Sequence, residues 1–94
     1  MTRYISLFRF TEQGAKAIKQ STTRAKDFAH AAAKAGVKIE GQYWTVGGYD
    51  GVLVLSAEKE SDALRLLVSL AAAGNVETET MQAFSAAEFD AIAK

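Results

Sequence analysis

The hydrophobic positions of the chain follow strand spacing in some stretches and helix spacing in others. Residues 4–10, YISLFRF, are rich in aromatic and β-branched side chains and end at Thr11, a good helix N-cap, which predicts a first strand. One helix over residues 12–35 would be longer than such a strand can cover. Gly14 and the polar residues 20–23 also weaken its first part. We therefore predict a break, with the main helix over residues 22–35 before Gly36.

The second half of the chain predicts three more strands and two more helices. Residues 37–46 alternate in their first half, which predicts a second strand. The glycines at positions 47, 48 and 51 favour a tight hairpin into a third strand over residues 51–57. A helix from residue 61 or 62 to 73 ends on Gly74, and residues 76–84 form a fourth strand. Ser85 and Glu88 form a capping box that starts a short C-terminal helix.

This element order predicts one α+β domain over residues 1–94. Strand, helix, strand, strand, helix, strand is the ferredoxin-like β-α-β-β-α-β order, which gives an antiparallel sheet. Right-handed crossovers place both long helices on one face of that sheet. The short C-terminal helix follows the last strand.

Apolar residues on both sides of the central strands predict a homodimer. Residues 52–55, VLVL, point alternately to the two sheet faces, but the long helices can cover only one face. We expect a second copy to cover the other face, as in a dimeric α/β barrel; the alternative is a monomer whose C-terminal helix folds back over it. Ile5 and Leu7 are assigned to the helix side because aliphatic side chains suit alanine-rich helices. The predicted interface residues are then Tyr4, Phe8 and Phe10.

Composition and charge narrow the classes of partner. Eleven Lys and Arg residues balance eleven Asp and Glu residues without a basic cluster, so we expect no nucleic-acid partner. The chain has no cysteine, and lysines lie one turn either side of its single histidine, so we predict no metal site and no cofactor. No signal-peptide core or bilayer-spanning stretch is present, which predicts a cytoplasmic protein with no membrane partner.

The stretch GGYDGV at residues 47–52 resembles the GYD family of small bacterial and archaeal proteins. The resemblance extends to TEQG at residues 11–14, Arg24, YWT at 43–45 and GNVETET at 74–80. It implies a dimeric α/β barrel, in which two ferredoxin-like sheets pack face to face, and no assigned activity. Gly51 departs from the family, which more often has a larger residue there, and this implies a looser hairpin.

Tyr49 and Asp50 are the leading candidates for a ligand site. Asp50 could bind an ammonium group or act as a base, although an Asp beside glycines more often accepts backbone N–H bonds in a turn. Tyr49 could line a pocket or pack across the hairpin. Arg24 could anchor an anion, although a solvent-exposed helical Arg near Asp27 is the commoner case.

Five further residues are candidates to line a cavity. Tyr43 and Trp44 must lie on opposite faces of the second strand, so that one is core and the other borders a cleft or the partner chain. Small polar side chains also occur where a purely structural sheet could carry Val or Ile, and they would give a cavity between paired sheets a polar lining if they face it. These are Ser6, Thr78 and Thr80.

We predict from these features a homodimeric module that binds a small molecule without chemistry of its own. The alternative is a cofactor-independent enzyme in which Tyr49, Asp50 or a buried tyrosine transfers a proton. A third possibility is a purely structural interaction domain.

Overall fold

The computed structural model describes residues 1–94 as one four-stranded antiparallel sheet with helices. The strands are β1 (Thr2–Phe10), β2 (Val37–Trp44), β3 (Gly51–Ala57) and β4 (Val76–Ala83), and the helices are α1 (Glu12–Lys16), α2 (Ser21–Lys34), α3 (Glu60–Ala73) and α4 (Ala86–Ala93). The strand order is β2-β3-β1-β4, with every neighbouring pair antiparallel. This is the predicted ferredoxin-like arrangement, and the single sheet is open rather than closed into a barrel.

Side-chain and glycine caps set the helix boundaries much as predicted. The Thr11 hydroxyl accepts a hydrogen bond from Gly14 N at 3.1 Å and caps α1. A 3-10 turn, Ile18–Gln20, then breaks the helical region before α2. Gly74 has a φ of 80° and ends α3, because a glycine adopts this left-handed conformation without a steric penalty. Ser85 and Glu88 form the predicted capping box of α4.

The hydrophobic core lies between the sheet and α2 and α3. Phe8, Leu53 and Leu55 supply its sheet side, and Ala32 and Leu66 are buried against them from the helices. Both long helices therefore cover the same sheet face, as expected. None of the four helices has the length and hydrophobicity that a membrane-spanning helix requires.

The predicted facing of β1 is wrong. Phe8 is only 8% exposed in the core, and Tyr4 and Phe10 pack against that core on the helix side. The physical reason is complementarity of size: alanines on the helices leave deep space that aromatic rings fill better than aliphatic chains. The three residues named as interface candidates thus face the helices, and Ile5 and Leu7 point the other way.

The opposite face of the sheet is uncovered, and we call it the open sheet face. Cross-strand pairing places Ile5 beside Val54 and Met81, and Leu7 beside Val52. The large apolar residues of this face are Ile5, Leu7, Val52, Val54 and Met81. The first four are half-buried, and Met81 is 43% exposed.

Helix α4 does not fold back over the open sheet face. Phe89 and Ile92 are 64% and 66% exposed, so its apolar side chains have little cover within one chain. Its attachment near the sheet is the ion pair between Arg3 Nη1 and Glu88 Oε1, 3.6 Å apart. The alternative in which this helix seals a monomer is therefore not observed.

The connection between β2 and β3 is a loop over residues 45–50, not the tight hairpin that its glycines predicted. Only Gly47 among the three glycines has a positive φ, at 136°. Gly51 serves close packing instead, because a Cβ there would lie 2.2 Å from Phe8 Cζ. This contact makes the start of β3 a packed site rather than a loose one.

Candidate functional site

The Gly48-Tyr49-Asp50 triplet connects the β2–β3 loop to the neighbouring strands. The carbonyl of Gly48 accepts a hydrogen bond from Arg9 Nε at 2.7 Å. The Arg9 guanidinium lies 4.2 Å from the centre of the Tyr49 ring, a cation–π contact. The Tyr49 hydroxyl donates to Glu79 Oε2 at 2.5 Å. These contacts join the loop to β1 and β4.

These contacts lie at the rim of the open sheet face. Strand alternation puts Arg9 on the same face as Leu7, and Glu79 is the direct cross-strand neighbour of Leu7. The ring of Tyr49 therefore extends across the end of β1 toward β4. We call Arg9, Tyr49 and Glu79 the rim cluster.

The rim cluster makes the Tyr49 hydroxyl harder to deprotonate. The hydrogen bond to Glu79 raises the pKa of Tyr49 above its usual value, and partial burial and the negative charge of Glu79 act in the same direction. The positive charge of Arg9 opposes this change. Like other tyrosines, Tyr49 is a hydrogen-bond donor at neutral pH, and the raised pKa makes its phenolate less available to abstract a proton.

Asp50 acts on the backbone. Its Oδ2 accepts a hydrogen bond from Phe10 N at 2.8 Å, and its own N–H donates to Phe8 O at 2.8 Å. The carbonyl of Tyr49 accepts from Thr45 Oγ1 at 2.7 Å within the same loop. Asp50 thus extends the pairing of β1 beyond the start of β3, the turn-bracing role that is common for Asp beside glycine.

A second backbone junction joins the start of α1 to the end of α3. Thr11 N donates to Asn75 O at 3.1 Å, and Thr11 Oγ1 donates to Gly74 O at 2.6 Å. A Cβ on Gly14 would lie 1.9 Å from Asn75 O, so only glycine fits this approach. Two of the stretches that carried the family resemblance, residues 11–14 and 74–80, therefore meet in the fold.

A family model described as the GYD domain matches residues 4–93. The chain belongs to the GYD domain family. A relative from Thermus thermophilus, named glutamine synthetase and cystathionine beta-lyase binding protein, is 32% identical over 89 residues, which span 94% of each chain. The crystal structure of TTHA0845 from Thermus thermophilus superposes with a TM-score of 0.58 at 22% identity, covering 92% of this chain and 96% of that one. This second likeness concerns the fold alone.

On the other side of the sheet, this GYD domain has a cleft of about 550 Å³ between α2, α3 and the strands. Phe8, Phe10 and Leu53 form its floor, and Phe28 and Leu70 lie along its helical walls. We call it the helix-side cleft. It falls within the usual size range of small-molecule pockets, ~300–1,000 Å³.

Trp44 and Tyr43 border the helix-side cleft, but neither is a core residue as one of them was expected to be. Trp44 is 44% exposed and Tyr43 is 60% exposed. Trp44 Nε1 donates to the Ser21 hydroxyl at 2.9 Å, which fixes the indole against α2. Because β2 is an edge strand, its last two residues lie beyond the part of the sheet that the helices cover fully.

The three small polar candidates do not line a cavity between sheets. Ser6 is fully buried on the helix side, where its hydroxyl lies 2.8 Å from Thr80 Oγ1. Thr78 pairs with Phe8 across β4 and β1, so it also lies on that side. None of the three is among the residues that line the helix-side cleft. The observed role of Ser6 and Thr80 is to satisfy each other's hydroxyl between β1 and β4.

Sequence reasoning missed Arg9 and Glu79. Neither residue was a candidate for a ligand site or for the dimer interface. Antiparallel pairing of β1 with β4 would have placed Arg9 opposite Glu77 and diagonal to Glu79. The loop geometry that places Tyr49 in contact with both Arg9 and Glu79 could not be predicted from the sequence.

Proposed function

We propose that this GYD domain is a homodimeric binding module that pairs through the open sheet face and binds a protein partner. The observation that carries the proposal is the uncovered apolar sheet face. Four half-buried aliphatic side chains and Met81 form a continuous apolar patch across three strands. Contiguous exposed apolar surface of this kind marks interaction sites on small proteins.

The distribution of charge on this face supports pairing with a second copy. At one end Arg3 lies 3.6 Å from both Glu40 and Glu88, and at the other end Arg9 and Glu79 enclose Tyr49. An apolar centre with a polar rim is the usual anatomy of a protein interface. A two-fold pair would present the same patch from both chains, which requires a self-complementary surface.

The limited area of the sheet supports a contribution of α4 to the dimer interface. Four strands at ~4.8 Å spacing and about seven residues at ~3.3 Å each present roughly 19 by 23 Å, or ~900 Å² for two chains. Stable interfaces bury ~1,200–2,000 Å² in total. Phe89 and Ile92 of α4 are the exposed apolar residues best able to supply the difference.

The similarity to the Thermus thermophilus relative supports a protein partner. That relative is named for binding glutamine synthetase and cystathionine beta-lyase, and the similarity spans 94% of both chains. We therefore propose glutamine synthetase as the first enzyme to test. Glutamine synthetase from the organism that encodes this domain, immobilised on a resin, should retain the purified domain reversibly. The absence of binding at micromolar concentration would reject this partner.

The homodimer is tested by light scattering after size-exclusion chromatography at micromolar concentration. The molar mass measured for the wild-type protein should be twice its chain mass of 10.1 kDa. Val54→Glu places a charge at the centre of the open sheet face and should give the chain mass, because an unpaired buried charge costs several kcal/mol. A wild-type monomer would overturn the proposal.

Val68→Glu is the matched control for Val54→Glu. Val68 is 58% exposed on α3, away from the open sheet face. The same substitution there should leave the dimer intact. Dissociation by Val68→Glu but not by Val54→Glu would move the interface to the helices, and circular dichroism of both variants checks that they are folded.

A further inference from the structure

The helix-side cleft combines an apolar interior with one cation that lacks an ionic partner. Thirteen of its twenty lining residues are hydrophobic, so a ligand there must be largely apolar. Phe8 and Phe10 meet edge to face on the floor, with ring centres 5.8 Å apart. Alanines such as Ala25 and Ala31 on α2 leave the space above these rings unfilled.

Arg24 is the polar residue of the cleft lining with an unsatisfied hydrogen-bond donor. Its Nη1 donates to Ala17 O at 2.7 Å, whereas its Nη2 is buried and has no hydrogen-bond partner. No carboxylate of the chain lies within 4.0 Å of this guanidinium, although Asp27 also lines the cleft. A buried charged donor without an acceptor is costly, so an anionic oxygen that reaches it would be favoured.

Ser21 offers a second donor close to Arg24 along α2. Residues three apart in a helix share a face, and both residues line the cleft. The Ser21 hydroxyl accepts a hydrogen bond from Trp44 Nε1 at 2.9 Å, which leaves its own proton free to donate. A carboxylate has two oxygens and can accept from the guanidinium and the hydroxyl together.

The other charges of the cleft favour a monoanion. Arg65 also lines it, but its Nη1 lies 3.4 Å from Asp62 Oδ1 and its side chain is 75% exposed. Because Asp62 pairs with Arg65, Arg24 is the one cation of the lining that is left to balance a ligand's charge. A dianion such as a phosphate monoester would leave one negative charge unbalanced in an apolar site.

We propose that the helix-side cleft binds an amphipathic monocarboxylate, with its carboxylate on Arg24 and Ser21 and its apolar chain over Phe8 and Phe10. At ~30 Å³ for each water-sized group, the cleft has room for roughly eighteen such groups, which accommodates the ~12 non-hydrogen atoms of decanoate. This site lies on the opposite side of the sheet from the proposed dimer interface. It goes beyond the proposed function and does not depend on it.

Trp44 provides the readout, because it is the only tryptophan and borders the cleft. Titration of the full chain with decanoate below its micelle concentration should change Trp44 fluorescence to saturation. Decanol, which has the same chain without the charge, should bind at least ~10-fold more weakly. Affinity should rise ~4-fold with each CH₂ from hexanoate to decanoate.

Two arginine variants separate the proposed contact from general electrostatics. Arg24→Met should weaken decanoate at least ~10-fold and leave decanol unchanged, whereas Arg65→Met, the matched control, should change neither. Ala25→Leu should weaken both ligands by filling the cleft.

The wild-type comparison needs no variant and decides the proposal even if Arg24→Met fails to fold. Equal affinity for decanoate and decanol, or no response of Trp44 to either, would overturn it. So would equal losses of decanoate affinity in the two arginine variants.

Discussion

Tyr49 shows how one side chain can order a charged rim. Its ring lies beneath the Arg9 guanidinium, and its hydroxyl donates to Glu79, so one aromatic residue separates a cation from an anion and holds both. Exposed ion pairs alone contribute little to stability, because their long side chains lose entropy and water screens the charges. Through Tyr49, Arg9 and Glu79 gain fixed positions, which a self-complementary interface requires.

The hydrogen bond between Tyr49 and Glu79 can be tested by titration. Glu79→Gln should lower the pKa of Tyr49, because the hydrogen bond to the carboxylate and its negative charge both raise it. The measurement is tyrosinate absorbance against pH, with the Tyr49→Phe protein subtracted to remove Tyr4 and Tyr43. Glu77→Gln, which neutralises the neighbouring glutamate, is the control. Equal midpoints in wild type and Glu79→Gln would contradict the assignment.

The direction of the Tyr49 shift also sets a pH dependence of stability. A folded pKa above the unfolded value of ~10 stabilises the fold fully below that pH, and the contribution disappears as the pH rises through the folded pKa. Wild type should therefore lose more stability than Glu79→Gln in alkaline solution. Chemical unfolding at two pH values, one on each side of ~10, measures this difference.

At the level of single residues, the sequence predicted alternation but not orientation. Tyr4, Phe8 and Phe10 were correctly placed on one face and Ile5 and Leu7 on the other. Which face met the helices depended on the depth of space above the sheet, and that depth follows from how buried alanines such as Ala32 pack. Alternation is a property of the strand backbone, whereas orientation depends on contacts distant in sequence.

The elements themselves were predictable wherever a local cap determines a boundary. The capping box at Ser85 and Glu88 and the left-handed Gly74 depend on neighbouring residues, and both are found where expected. The β2–β3 loop was not predictable in this way. Its shape depends on Asp50, which bonds the backbone of Phe8 and Phe10 about forty residues earlier in the chain, so glycine content alone suggested too short a turn.

The α4 cap predicts an acid-sensitive helix start. Hydrogen bonds from the backbone N–H and the side chain of Ser85 lower the pKa of Glu88 below its usual value. The contribution to stability is therefore present above the unfolded pKa of ~4.3 and is lost as pH falls through the folded pKa. Ser85→Ala should raise the Glu88 midpoint and weaken α4 by about 1 kcal/mol.

NMR titration of the Glu88 carboxyl carbon measures this change in wild type and Ser85→Ala. Glu12 serves as an internal reference, because it lies in α1 and forms its ion pair with Lys16, 3.4 Å away. An unchanged Glu88 midpoint would show that the Ser85 hydroxyl does not act on this carboxyl.

The whole molecule has two sides with different surfaces. The helix side has a packed core and a cleft with one unpaired cation, and the open side has a flat apolar patch with a charged rim. The sequence predicted that one side needed a cover, because residues 52–55 are apolar on both faces. It did not predict the helix-side cleft, since α2 and α3 must be placed in space before the gap between them exists.

Helix α4 leaves its large apolar side chains mostly exposed within one chain. Phe89 and Ile92 are three residues apart, so they share one face of the helix, and both are about two-thirds exposed. A second copy on the open sheet face would give that helix face a surface to cover. The apolar area gained would bring the interface nearer to the standard size.

Ile92→Glu tests this contribution of α4 to dimerisation. The substitution should raise the dimer dissociation constant by about 10-fold or more, because it forfeits burial of one large aliphatic side chain, worth ~1.5–3 kcal/mol. Ala87→Glu is the matched control, since position 87 lies on the other side of the helix from Phe89 and Ile92. Sedimentation equilibrium of both variants over a concentration series gives the two constants. Equal constants for Ile92→Glu and wild type would exclude α4 from the interface and leave the sheet alone to hold the pair.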